Sequence, residues 1–235
     1  MNTQDGAQKM TVVRSGLRRP NWICRNARQI VVLVRDKSGS MSGQKAQDAS
    51  AASLNLVAEL AQPVNKDGFL VGVVDFASRS QIVHDLARAT ELDGRVTPLS
   101  VGGGLLSLFG GGSTNITAGL EDAQGLLDKA EQVGAEGVQY LRPVAILFSD
   151  GCHNTGPAPK DVADRLKQKA DLVTVAFGSD ADEALLRSLA SSPQHFYRCA
   201  NGRELRSFLA AVGATMTATM AAGTNATQAL TTIRP

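Results

Sequence analysis

A carboxylate and two hydroxyls alternate directly after an apolar run near the start of the chain: Asp36, Ser38 and Ser40 follow IVVLVR. A second carboxylate, Asp150, ends another apolar run in VAILFSDG, and Thr114 lies in the glycine-rich stretch FGGGSTN. Two carboxylates and three hydroxyls are oxygen donors of the kind that a hard divalent cation prefers. The set contains no His or Cys, which argues against zinc or copper. If the fold brings the donors together, they predict a magnesium-type site.

The charge of such a site depends on which oxygens touch the ion. Hydroxyls are neutral, so an ion that they bind directly keeps much of its positive charge when the carboxylates act mostly through water. The ion then attracts an anionic ligand from outside, and a Glu or Asp side chain of another protein has the chemistry to fill that place. We expect Mg²⁺ first, with Mn²⁺ and Ca²⁺ as alternatives.

Short apolar runs rich in Val and Ile must carry these side chains. The runs do not alternate with polar residues, which is typical of strands covered on both faces in a parallel sheet. Amphipathic helical spacing fills the intervals between them. The strand runs are 30–34, 69–74, 144–148 and 172–177, and the helical stripes lie at 46–60, 116–130, 162–166, 185–189 and 205–212.

This alternation of strand and helix predicts an α/β fold with a Rossmann-like, doubly wound, mostly parallel sheet flanked by helices. Two further strands are expected. One, near residues 81–86, forms a hairpin with the strand before it and is an antiparallel edge strand; the other, at 195–199, is a short edge strand. Ligands of such sheets bind outside the carboxyl ends of the strands, so we expect Asp36 and Asp150 to lie at one edge.

The order of three motifs resembles a known family. D-K-S-G-S at 36–40, a Thr in a glycine-rich loop and S-D-G at 149–151 are similar to the metal-ion-dependent adhesion site of von Willebrand factor type A domains, over roughly residues 30–212. The resemblance implies a non-enzymatic module that binds proteins through a divalent cation. It implies that the cation's direct or near-direct ligands are Ser38, Ser40 and Thr114. It further implies that Asp36 and Asp150 hold coordinated waters and that a partner carboxylate completes the coordination.

Some positions depart from the commonest pattern of that family. Lys37 replaces a smaller or apolar residue, and its charge would favour the approach of an acidic ligand. Ser113 precedes Thr114 where glycine is common, so either hydroxyl is a candidate, with Thr114 preferred. We expect the partner surface around the cation to include Lys37, Met41, Gly112 and Ser113. The long loop before Thr114 carries apolar residues at 105–109 that either form a rim beside the metal or pack into the core.

The sequence suggests three parts: a basic amino-terminal extension (1–29), the type A domain (30–216) and an Ala/Thr-rich tail (217–235). No acidic residue lies between Asp5 and Asp36, whereas the same stretch carries a series of basic residues: Lys9, Arg14, Arg18, Arg19, Arg25, Arg28 and Arg35. This stretch is either a solvated arm or edge strand, or a docking site for an acidic partner. The tail is either a frayed helix extension or disordered.

Composition excludes several functional classes. The net charge of +2 gives no reason to expect nucleic acid as a partner, and no apolar run approaches the length of a membrane span. Three cysteines without close spacing form neither a disulfide framework nor a C-x-x-C metal site. No secretory signal is visible in the first thirty residues, so we expect a cytoplasmic location. The oligomeric state cannot be read from the sequence.

Two narrower hypotheses concern function. In size the chain is similar to the single-domain bacterial type A proteins associated with tellurite resistance and stress, which suggests a role in a signalling or stress assembly. The alternative is a metal-dependent phosphoryl-transfer enzyme with Asp36 as nucleophile. Haloacid-dehalogenase-like enzymes usually need a second carboxylate two residues later, where this chain has Ser38. There is also no G-x-S-x-G, G-x-G-x-x-G or G-K-[ST] motif after the first strand.

Overall fold

The computed structural model describes residues 27–101, 113–132, 138–150 and 152–234. Within these ranges the strands form one mixed sheet: β1 (Ala27–Asp36), β2 (Phe69–Phe76), β3 (Ser80–Arg88), β4 (Gln139–Tyr140), β5 (Val144–Ser149), β6 (Asp171–Phe177) and β7 (Phe196–Cys199). Their order is β3-β2-β1-β5-β6-β7, and β4 pairs with the start of β1. Only the β2–β3 pair among them is antiparallel. The predicted fold class, with its antiparallel strand at one edge, is confirmed.

Helices cover both faces of the sheet: α1 (Gln44–Leu60), α2 (Ala89–Leu92), α3 (Ile116–Gln132), α4 (Lys160–Lys169), α5 (Glu183–Leu189), α6 (Gly202–Ala222) and α7 (Thr227–Leu230). Apolar residues of α1, α2, α6 and α7 share one core with the sheet, and those of α3, α4 and α5 share a second core on the other face. In the parts of the chain that the structure describes, no helix combines the length and apolar character needed to cross a bilayer.

The lack of alternation in β1 follows from its position between the two cores. Val31 and Leu33 face the core with α1 and α6, whereas Val32 and Val34 face the core with α3. Because both faces are apolar, a slip of one residue against β2 would not be opposed by the burial pattern that normally fixes register. A polar contact inside the sheet is therefore a strong candidate for setting the register.

Arg35 provides such a contact, and its inclusion in the predicted basic arm was wrong. The side chain is fully buried, and its guanidinium forms two hydrogen bonds with Asp75, its direct partner in the β1–β2 register. The Nη2 group also donates to the carbonyl of Thr97 at 3.0 Å. A cation without this partner would be far too costly to bury. Of the predicted extension 1–29, residues 27–29 form the start of β1, and residues 1–26 lie outside the described residues.

The tail was predicted to be either a frayed helix extension or disordered, and in the structure it begins as an ordered extension of α6. Helix α6 continues through the predicted boundary at residue 217 to Ala222, where Gly223 ends it in the left-handed conformation (φ +64°). Beyond it, Leu230 and Ile233 are buried in the core on the α1 side of the sheet. Asn65 also donates to the Thr217 hydroxyl at 3.2 Å, so residues on both sides of the boundary belong to one packed unit.

Candidate metal centre

The candidate site lies at the carboxyl edge of the sheet, between β1 and β5. From β1 the chain proceeds through α1 to β2 on one side, whereas β5 lies on the other side, so strand order reverses at this point. Ligand sites of open α/β sheets occur at such reversals. Asp36 is the last residue of β1, Asp150 follows β5, and Thr114 precedes α3.

A chain of oxygen contacts joins the predicted donors. The hydroxyls of Ser38 and Ser40 are 3.0 Å apart, and the Ser40 hydroxyl donates to Oδ1 of Asp150 at 2.7 Å. The backbone N–H of Ser38 donates to Oδ1 of Asp36 at 2.7 Å, and the Ser149 hydroxyl donates to the other carboxylate oxygen of Asp36. The structure thus brings together four of the five predicted residues.

These separations suit ligands of one small cation. Two oxygens that bind Mg²⁺ at about 2.1 Å and at right angles lie about 3.0 Å apart. The 3.0 Å separation of the Ser38 and Ser40 hydroxyls matches this value. Among the described residues, no cluster of three or more His, Cys, Asp or Glu side chains suggests a different metal site. The donor set therefore fits a hard cation that binds hydroxyls and carboxylates.

The carboxylates are withdrawn from solvent. Asp36 is fully buried and Asp150 is 1% exposed. Burial raises the pKa of Asp36, and the nearby charge of Asp150 adds to the rise, although the hydrogen bonds from Ser149 and Ser38 oppose it. Two buried carboxylates in one site are unfavourable without a compensating positive charge. The site is therefore electrostatically prepared for a cation.

Thr114 is placed by the backbone that follows Asp150. Its N–H donates to Oδ1 of Asn154 at 2.8 Å, and its carbonyl accepts from the N–H of Asn154 at 3.1 Å. One residue after Asn115, the N–H of Ile116 donates to Nδ1 of His153 at 3.2 Å, which satisfies an N–H at the start of α3. The role of His153 in bracing this helix was not foreseen. Thr114 itself is 2% exposed.

The most informative residue that sequence reasoning missed is Lys45, in the first turn of α1. Its ammonium donates to Oδ2 of Asp150 and lies 3.6 Å from Oδ2 of Asp180. Burial acts to lower the pKa of Lys45, but the hydrogen bond with Asp150 and the attraction of both carboxylates outweigh it, so the pKa is raised. No local sequence signal links residues that are 105 positions apart.

The residues expected at the partner surface differ in their exposure. Lys37 and Ser113 are half-buried beside the site. Met41 is fully buried in the core with α1, so its assignment to the partner surface was wrong: the short 3₁₀ helix Gly39–Met41 turns its side chain inward. Gly112 and the apolar residues at 105–109 lie outside the described residues. The loop ends at Gly43, which has φ +68° and directly precedes α1.

The remaining cysteine and histidine residues do not form a second site in the described structure. Cys152 is exposed near the candidate centre, whereas Cys199 is buried at the end of β7, where burial raises the pKa of its thiol to about 12. His195 is buried at the opposite end of the same strand. Among the described residues, these side chains form no cluster with His153 that could hold a metal ion.

The chain matches a known protein family over most of its length. Residues 31–211 match the von Willebrand factor type A domain. A human protein, calcium-activated chloride channel regulator 4, is 33% identical over 175 residues, which are 73% of this chain but 17% of the human protein. This chain therefore corresponds to a small part of that curated relative.

Solved structures share the fold at lower identity. Proximal thread matrix protein 1 from the mussel byssus, solved with a zinc-occupied MIDAS motif, has a TM-score of 0.59 and 22% identity over 82% of this chain and 46% of its own. The pilus adhesin SpaC from Lactobacillus rhamnosus GG has a TM-score of 0.64 and 15% identity over 81% of this chain and 30% of its own. At these identities the likeness extends to the fold alone.

Proposed function

Because the chain belongs to the von Willebrand factor type A family, we propose that it is a divalent-cation-dependent protein-binding module. Domains of this family are generally non-enzymatic adhesion modules that interact with other proteins. In the proposal, Ser38, Ser40 and Thr114 are the cation's direct or near-direct ligands. Asp36 and Asp150 hold its coordinated waters, and an acidic side chain of the partner completes the coordination.

The observation that carries the proposal is the continuous set of oxygen contacts from Ser38 through Ser40 to Asp150. It joins two loops at the point where strand order reverses, and its two serine hydroxyls lie at the separation expected of neighbouring ligands of one small cation. We propose Mg²⁺ as the cation, with Mn²⁺ and Ca²⁺ as alternatives. The zinc-occupied MIDAS of the mussel protein supports metal binding by this type of site without fixing the metal here.

No observation favours the alternative of phosphoryl transfer. The position two residues after Asp36 is a serine, whose hydroxyl contacts Ser40. Asp36 accepts hydrogen bonds from Ser38 and Ser149 and is fully buried, which suits a carboxylate that orients ligands better than one that attacks a substrate. The cytoplasmic location, the link to bacterial stress or tellurite resistance and the absence of nucleic-acid or membrane partners stay predictions from the sequence.

Calorimetric titration of metal-stripped protein with MgCl₂ and MnCl₂ tests the metal site. We expect one saturable site, with affinity at least about tenfold lower in Ser40→Ala, because this hydroxyl is a proposed ligand and also orients Asp150. Ser42→Ala is the matched control, since Ser42 is an exposed serine two residues further on. Equal affinities in the wild type and Ser40→Ala would contradict the assignment.

The partner carboxylate is tested separately, with acetate as the probe. Bound Mn²⁺ enhances the relaxation of water protons in proportion to the waters that it coordinates. If a carboxylate enters the coordination sphere, acetate displaces a water and lowers this enhancement in the Mn²⁺-loaded protein. An enhancement that does not change up to high acetate concentration, while chloride at equal ionic strength is also without effect, would argue against a free coordination position.

A further inference from the structure

Lys45 introduces a positive charge into a site that is proposed to hold a cation. Its side chain is 29% exposed, and its ammonium contacts the fully buried side chain of Asp150. Among the described ion pairs, Lys45 is the cation that pairs with a carboxylate of the site. The contact occupies Oδ2 of Asp150, while Oδ1 accepts from Ser40. Lys45 thus competes with any ion or water that would use Oδ2.

A second carboxylate lies within reach of the same ammonium. Asp180 follows β6 on the neighbouring loop; its Oδ2 is 3.6 Å from the Lys45 nitrogen, and its side chain is 68% exposed. The backbone beside it leaves room for the ammonium because residue 178 is a glycine with φ +96°. A Cβ atom at this position would lie 3.2 Å from the Lys45 nitrogen. The lysine therefore has two carboxylate partners, one inside the site and one at its rim.

We infer that Lys45 is an internal counter-ion that pairs with Asp150 before the divalent cation binds, shifts towards Asp180 when it binds, and thereby favours an anionic ligand. The inference rests on the proposed function. Counting Asp36, Asp150 and Lys45, but not the exposed Asp180 at the rim, the site carries a net charge of −1 without the divalent cation and +1 with it. Without Lys45 the corresponding charges are −2 and 0. Lys45 therefore weakens cation binding and strengthens carboxylate binding.

The shift of Lys45 from Asp150 to Asp180 on cation binding is tested by calorimetric titration of MnCl₂ into metal-stripped protein. The proteins compared are the wild type, Lys45→Met and Lys129→Met. We expect Lys45→Met to bind Mn²⁺ at least about tenfold more tightly, because the competing charge is gone. Damage to the fold would not raise affinity. Lys129→Met is the matched control, because it removes the same charge from an exposed ion pair with Asp85. Lys129 lies 13 residues beyond the start of α3, which is roughly 20 Å along the helix from the end that follows Thr114.

The anion part of the inference is tested with acetate on the Mn²⁺-loaded proteins, by water-proton relaxation. Lys45→Met should need several times more acetate than the wild type for the same displacement of water. Tighter Mn²⁺ binding without this change would overturn the role in attracting carboxylates.

The pairing of Lys45 with Asp150 in the metal-free protein is tested by urea unfolding in the presence of EDTA. The proteins compared are the wild type, Lys45→Met, Asp150→Asn and the double variant. Lys45→Met alone should lower the unfolding midpoint, because it leaves a buried carboxylate unpaired, and Asp150→Asn should restore part of the loss in the double variant. Additive effects would overturn the counter-ion assignment.

In the calorimetric titration, equal Mn²⁺ affinity in the wild type and Lys45→Met would overturn the shift of Lys45 from Asp150 to Asp180 while leaving the metal site intact. No Mn²⁺ binding in either protein would overturn both this shift and the proposed function.

Discussion

Arg35 shows how one buried ion pair can fix the register of a strand whose apolar residues are buried on both faces. β1 is apolar on both faces, so its burial pattern does not distinguish one register from the next. The bidentate pair of Arg35 with Asp75 does, since a slip of one residue would move the guanidinium to the opposite core. The same guanidinium donates to Thr97, and the N–H of Leu99 donates to the Ser50 hydroxyl, so the chain leading to the glycine-rich loop is also fixed.

Replacing Asp75 with Leu tests this role. The change leaves Arg35 buried without its counter-charge, and we expect the free energy of unfolding to fall by about 3–5 kcal/mol. The double variant Arg35→Met/Asp75→Leu removes both charges and should recover most of the loss. Urea unfolding followed by circular dichroism measures both. A loss of less than about 1 kcal/mol in the single variant would mean that the guanidinium finds other partners or water.

Single positions were the least predictable part of the molecule. The alternation of Asp36, Ser38 and Ser40 was readable because the donors are neighbours in sequence. Arg35 was misread as part of a basic arm because its partner lies 40 residues away. Met41 was misread as a surface residue because it stands between polar loop residues, and only the turn of the 3₁₀ helix directs it inward. Lys45 gave no signal at all, since its pairing depends on how the first turn of α1 meets the loops that carry Asp150 and Asp180.

At the scale of elements, the contact between α1 and α6 depends on small residues. A Cβ atom at Gly213 in α6 would lie 2.7 Å from Cγ and 3.0 Å from Cβ of Glu59 in α1. The first turn of α6 is similarly close, because Gly202 faces Asp48, which accepts a hydrogen bond from Arg206. The two helices therefore pack at a distance that larger side chains would not allow.

A pair of glycine-to-alanine changes measures this packing against helix propensity. Gly125→Ala in α3 adds a methyl group to open space and should raise the free energy of unfolding by roughly 0.5–1 kcal/mol. Gly213→Ala gains the same propensity but must displace Glu59, so we expect a net loss of about 1 kcal/mol or more. Denaturant unfolding compares the two variants. Stabilisation of similar size at both positions would show that α1 moves aside freely.

The elements themselves were largely predictable. The runs at 30–34, 69–74, 144–148 and 172–177 all became strands, and both weaker candidates, 81–86 and 195–199, did as well. The helical stripes fell inside α1, α3, α4, α5 and α6. The end of α6 was missed because its last two turns are rich in Ala and Thr, which gives a weak apolar stripe although Met216 and Met220 are buried. Packing against α1 and the sheet supplies what the local pattern lacks.

At the scale of the whole molecule, the tail packs against the amino ends of β6 and β7, at the end of the sheet opposite the candidate metal centre. Thr227 donates to Asp171 at the start of β6, and the Tyr197 hydroxyl donates to the carbonyl of Leu230. His195 lies buried in the same region, with Nδ1 2.8 Å from the Ser192 hydroxyl. Burial lowers the pKa of His195, although the charge of Asp171 opposes this.

This burial predicts a pH dependence of stability. Because the pKa of His195 is lower in the folded state than its usual value of about 6.5, the unfolded chain binds a proton first as the pH falls. The contribution of His195 is therefore fully present above about pH 6.5 and is lost as the pH falls through the folded-state pKa. We expect the free energy of unfolding to decrease between pH 7.5 and 5.5 in the wild type and to decrease less in His195→Gln.

His84 needs to be considered in that experiment. Its pKa is also lowered, by burial and by the charge of Arg35, so the wild-type dependence contains both histidines. The difference between the wild type and His195→Gln isolates the histidine near the tail. If the wild type and His195→Gln lose the same free energy of unfolding over this pH range, protonation of His195 in the folded state does not destabilise the protein. The contact of the tail with β6 and β7 would then accommodate the charged imidazolium.

The hydrogen bond between Ser40 and Asp150 spans 110 positions, with four strands and three helices wholly between them in the described part of the chain. A synthetic peptide that copies residues 36–40 would thus carry one loop of three and could not imitate the centre. Transplanting the centre into another scaffold would require neighbouring parallel strands that end level with each other, as β1 and β5 do. Conversely, changes in the connections elsewhere in the molecule should keep the centre so long as that pair of strands stays side by side.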